Sequence, residues 1–113
     1  MDEQLRDLEG KIGKVPKIFE DLKETAPDMY QSVMGIDQMV WADGALSKKT
    51  KKIIAIAIAG ALRDGHAVRA QMAGAKSLGV TREEIEEGLR VAFLLAGMPA
   101  YVYGKAALEE AFK

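Results

Sequence analysis

Residues 48–63 read KKTKKIIAIAIAGALR, and the fold class turns on how that run is taken. The alternation of Ile and Ala from Ile54 to Ala59 is what a half-buried strand shows. Its sixteen residues, its alanine content and the lack of an internal turn signal favour a helix instead. Ser47 stands where a helix N-cap belongs. On a helix, Ile54, Ile58 and Leu62 fall on one face, and Ala57, Gly60 and Ala61 leave gaps for close approach of neighbours. The expectation is a central, most buried helix.

Helical signals continue outward in both directions. Upstream, the loop GKIGKVP leads into KIFEDLKET, with Pro16 at a helix start. Pro27 opens a second helix, PDMYQSVMGIDQMVW, which Asp43-Gly44 ends. Downstream, Asp64 is placed to cap HAVRAQMAGAKSL, which Gly79 stops. Thr81 and Glu84 form a capping-box pattern ahead of a helix expected to bury Ile85, Leu89, Ala92, Phe93 and Ala96. A last helix follows Pro99. No repeat and no convincing hairpin occurs, so the chain reads as all-α, one domain of five to six helices over residues 1–113.

Composition narrows the chemistry. There are no cysteines, which removes disulfides, thiolate nucleophiles and cysteine-based metal sites. A single histidine rules out a multi-histidine metal centre within one chain, so no metal and no cofactor is expected. A net charge of −1 gives no basic field for nucleic acid. The acidic opening MDEQLRDLEG has no apolar signal core, and the longest apolar run, 53–62, has ten residues against about twenty for a membrane span. A soluble, cytoplasmic protein is expected.

The stretch from Gly44 to Ala107 resembles the carboxymuconolactone decarboxylase and alkylhydroperoxidase D superfamily. The resemblance lies in the GALS turn, the lysine-rich entry into an Ala/Ile helix, ALR before a second helix, the GVTREEI cap and the ending AGMPAYVYG. It implies an alkylhydroperoxidase-D-like helical fold and self-assembly as a homotrimer or homohexamer. In the redox branch of that superfamily, C-x-x-C-x-x-x-H follows ALR, with a glutamate twelve residues before the first cysteine. Those four positions are here Asp64, Ala67, Gln71 and Lys52, so none of the reactive groups is present. Thiol peroxidase chemistry is not expected.

His66, the lone imidazole, is five residues before Gln71 and so points about 140° away from it on a helix. It can still act as an acid or base beside Asp64, and these two are the candidate catalytic residues. Asp64 is also explained as a cap and His66 as an exposed side chain. Lys52 and Gln71 are candidate binding residues: the first offers fixed positive charge, the second hydrogen bonds without proton transfer. The cluster Lys48, Lys49, Lys51 and Lys52 otherwise reads as a solvated face, unfavourably placed at a helix start. The methionines and aromatics read as core or subunit-interface filling. Two functions are open: a non-catalytic oligomeric binding or scaffold protein with a degenerate site, or a cysteine-independent acid–base enzyme on a small carboxylate or lactone.

Overall fold

The computed structural model describes Arg6 and residues 17–113. The expected start at Pro16 lies outside the described residues. Among residues 17–113 six helices follow in order: α1 (Lys17–Thr25), α2 (Pro27–Trp41), α3 (Lys48–Ala61), α4 (Gly65–Ser77), α5 (Arg82–Ala96) and α6 (Met98–Ala111). Helices α3–α6 pack together around Ile56, Val68, Met72, Ile85, Leu89 and Leu108. Helices α1 and α2 pack along each other around Tyr30 and Met34, with Phe19, Leu22 and Val33 at the margin. This hairpin touches the four-helix body only at isolated points.

The caps are those the sequence signals. Ser47 accepts from the Thr50 amide, Asp64 from the Ala67 amide, and Thr81 and Glu84 complete a reciprocal capping box. Gly79, at φ +80°, closes α4: its amide bonds Lys76 O, and Val80 N–H bonds Ala75 O. The same Schellman arrangement closes α3, but with Arg63 at φ +58° in the left-handed position. Arg63 N–H bonds Gly60 O and Asp64 N–H bonds Ala59 O, so this turn delivers Asp64 to the start of α4. A non-glycine there gives no sequence signal, although it carries a steric cost.

The structure decides which face of α3 is buried, which the sequence reading leaves open. Lys52, Ile56, Ala59 and Gly60 point inward, whereas Ile54, Ile58 and Leu62 face out, Leu62 at 73% exposure. The helix is central as expected, because it contacts α4, α5 and α6. Gly60 sets its rotation: a Cβ on it would lie 2.9 Å from the Ala100 carbonyl oxygen of α6. On α5 the inward residues are Ile85, Leu89 and Ala92, while Phe93 and Ala96 are exposed. Of the methionines and aromatics read as filling, Met34 is buried; Met29 and Met39 stand out in solvent.

Helices α5 and α6 are pinned by polar contacts. Tyr101 Oη donates to Glu86 Oε1 at 2.6 Å, and Lys105 Nζ donates to Glu86 Oε2 at 3.1 Å. The Tyr101 hydrogen bond is the main cause holding the Glu86 carboxyl below its ordinary 4.5; partial burial opposes it and Lys105 assists. The same bond raises the Tyr101 hydroxyl above its ordinary 10.0. Because the folded Glu86 value is lowered, its contribution to stability is present above 4.5 and is lost as pH falls through the folded value. Because the Tyr101 value is raised, its contribution is present below 10.0 and is lost as pH rises through the folded value. Tyr101→Phe should therefore flatten the loss of melting temperature on acidification from about pH 5 to pH 3. Parallel pH profiles for the two proteins would show that the Tyr101–Glu86 bond adds nothing.

Candidate functional site

The four lysines at the start of α3 divide their work. Lys51 Nζ donates to the carbonyls of Val40 at 2.8 Å and Ala42 at 2.6 Å, satisfying the C-terminal end of α2. Lys51 therefore serves a neighbouring helix terminus, whereas Lys48 and Lys49 stand exposed in the first turn of α3. Lys52 is turned inward and is 1% exposed. Its ammonium donates to Gln71 Oε1 at 2.7 Å and lies 4.0 Å from the centre of the Trp41 ring. The solvated-face reading of the lysine cluster is thus wrong for Lys52.

The arrangement is built from three helices. Trp41 comes from the last turn of α2, Lys52 from α3 and Gln71 from α4. The indole is itself oriented, because Nε1–H donates to Asp37 Oδ1 at 2.9 Å one turn earlier. A buried ammonium needs hydrogen-bond acceptors and electron density around it to offset lost hydration. The Gln71 carbonyl and the indole face supply both, the second through a cation–π contact.

Asp64 and His66 are placed differently. The Asp64 carboxylate is exposed and accepts the Ala67 amide at 2.9 Å as the α4 cap. His66, on the first turn of α4, is exposed as well. The fold brings together Lys52 with Gln71, and leaves Asp64 and His66 at the solvent-facing start of α4. Sequence reasoning missed Trp41 and Asp37 as parts of the site. The available signal was the i, i+4 spacing of an indole donor and a carboxylate, which is common and therefore unspecific.

Lys52 and Gln71 occupy the two positions that correspond to the glutamate and histidine of the thiol branch, and their side chains meet. The carboxymuconolactone decarboxylase family pattern matches residues 27–110.

The chain belongs to the carboxymuconolactone decarboxylase family.

An uncharacterized protein of Methanocaldococcus jannaschii is 40% identical over 90 residues, which is 79% of this chain and 86% of that protein. Uncharacterized protein 4 in the cox locus of Paracoccus denitrificans is 32% identical over 97 residues, 83% of this chain and 87% of that one. Among solved structures, a carboxymuconolactone decarboxylase family protein from Legionella pneumophila superimposes with a TM-score of 0.80 at 28% identity. That match covers 93% of this chain and 94% of the other. A carboxymuconolactone-decarboxylase-type protein from Burkholderia xenovorans shares the fold with a TM-score of 0.84 at 20% identity, covering 96% and 86%.

At this site the Lys52 ammonium donates and the Gln71 side-chain oxygen accepts. Neither partner is a proton acceptor of the kind that deprotonates a thiol at neutral pH, and positions 64 and 67 carry no thiol.

Proposed function

We propose that this chain is a non-catalytic, self-assembling binding or scaffold member of the carboxymuconolactone decarboxylase family. The observation that carries the reading is the Lys52 ammonium, enclosed between Gln71 Oε1 and the Trp41 indole. A cation fixed in this way acts as a strut between α2, α3 and α4 rather than as a shuttle for protons. Self-assembly is supported by large side chains left in solvent, including Met39, Ile58, Leu62, Leu94 and Leu95. A monomeric domain of this size has little reason to carry so much exposed apolar surface. Among the described residues no helix is long and apolar enough to cross a membrane, which leaves protein as the natural cover for these faces.

The test has two parts. Light scattering on the purified protein should give a mass of more than one chain. Incubation with an organic hydroperoxide and a dithiol, or with a small lactone, should give consumption at the uncatalysed rate. Multiple-turnover consumption of either substrate that Lys52→Met abolishes would overturn the non-catalytic reading. Concentration-dependent thermal stabilisation by one member of a panel of small carboxylates and lactones would specify the binding role.

A further inference from the structure

The groove between α4 and α6 holds a cleft of about 200 Å³ that is separate from the Lys52 site. Gly65, Val68 and Arg69 line it from α4, and Val102, Tyr103 and Ala106 from α6. Around α4, Gln71 points about 120° from Gly65 and about 160° from Arg69, so the cleft opens on another side of that helix. Its walls are mostly hydrocarbon. Val68 is 1% exposed, and Val102 and Ala106 stand one turn apart on α6.

Two polar side chains converge on this cleft. A Cβ on Gly65 would lie 3.3 Å from Arg69 Nη1 and 3.8 Å from Tyr103 Cε1, so glycine keeps the space between guanidinium and phenol open. The guanidinium is oriented from within the chain: Nε donates to Glu110 Oε2 at 3.1 Å, and Nη1 donates to the Gly65 carbonyl at 3.3 Å. Among the described residues, neither Arg69 Nη2 nor the Tyr103 hydroxyl has a hydrogen-bond partner. An arginine held at one edge and open at another, beside apolar walls, is suited to a ligand carboxylate.

We propose that this cleft binds a small monocarboxylate with a single ring, the ring lying against Tyr103, Val68 and Val102 and the carboxylate on Arg69. Size sets the first limit, because drug-sized ligands occupy pockets of roughly 300–1,000 Å³ and this one is smaller. Charge sets the second. Glu110 already faces Arg69, so a second negative charge on the ligand would be repelled more than the guanidinium repays. This inference rests on the binding role proposed above and gives it a place apart from Lys52.

His66 supplies the probe, because it is the only imidazole, follows Gly65 directly and precedes Arg69 by three residues on the same helix. Benzoate is titrated into the full chain at low salt while the His66 ring resonances are followed by NMR, with benzamide as the uncharged ligand of the same shape. A saturable shift is expected, with a dissociation constant of about 1 mM for a ligand of about nine non-hydrogen atoms. Arg69→Met should raise that constant about tenfold. Glu110→Gln should lower it about threefold, by removing the competing charge. Both side chains are more than half exposed, so neither variant threatens the fold. Unchanged affinity in Arg69→Met, or benzamide binding as tightly as benzoate, would overturn the assignment of a carboxylate to Arg69. Absence of any saturable shift in the unmodified protein would overturn the cleft as a site. Thermal stabilisation by another member of the carboxylate and lactone panel would then leave the binding role standing, and silence across the panel would remove both.

Discussion

Lys52→Ala should be among the most destabilising substitutions in the protein, lowering the unfolding free energy by about 3–4 kcal/mol. The substitution removes a fully buried side chain, leaves a cavity, and strips the Gln71 carbonyl and the Trp41 face of the ammonium between them. Lys52→Met should cost less, about 1–2 kcal/mol, because the stem volume is kept and the main loss is the acceptor's partner. Lys52→Met combined with Gln71→Leu should return the part of that loss that comes from the stranded Gln71 acceptor. Urea titration of the four proteins measures the series, and Trp41, the only tryptophan, reports on the joint itself. Equal cost for Ala and Met would assign the whole effect to the charge and none to packing of the stem. A neutral Lys52→Ala would remove the strut from the account of the fold and with it the main support for the proposed function.

The second large effect concerns the closest approach between α3 and α6. Gly60→Ala places a methyl 2.9 Å from the Ala100 carbonyl oxygen and 3.8 Å from its carbon, and backbone cannot swing aside as a flexible side chain can. Overpacking of this kind costs about 1–3 kcal/mol. Alanine's better helix propensity returns up to about 1 kcal/mol, so a net loss of about 1–2 kcal/mol is expected. Gly35→Ala is the matched control: it lies within α2, and a Cβ there meets nothing within 4 Å. That variant should gain about 0.5–1 kcal/mol. Opposite signs in thermal melts of the two variants would confirm that packing, not propensity, sets the cost at Gly60. The same sign in both would mean that α3 and α6 separate freely.

The contrast between those two glycines shows how unevenly the sequence carries the structure. Both are helical glycines with unremarkable neighbours in sequence, and only the approach of another helix gives one of them a role. The caps were legible because their information is local: Ser47, Asp64 and Thr81 each bond an amide three residues on. The turn at Arg63 was not, because its left-handed conformation is imposed by the α3–α4 geometry on a residue that does not favour it.

For the candidate site, the positions were readable through family order, whereas their chemistry was not. Lys52 and Gln71 stood out as replacements for reactive residues, and their meeting at 2.7 Å required α3 and α4 to pack side by side. Trp41 had no sequence cue tying it to a lysine eleven residues later. Asp64 was readable as a cap, and the structure gives its carboxylate that partner.

The sequence by itself determined that this protein is all-α, where most of its helices begin and end, and that thiol chemistry is absent, since these depend on neighbouring residues and on which atoms are present at all. The tertiary structure alone decided which side of α3 is buried. With Ile, Ala and Gly on several faces of that helix, amphipathic periodicity favours no single side. Close packing then selected the face on which Gly60 admits another backbone and Lys52 finds its acceptor and its indole, and it left Ile54 and Ile58 outside while burying Ile56.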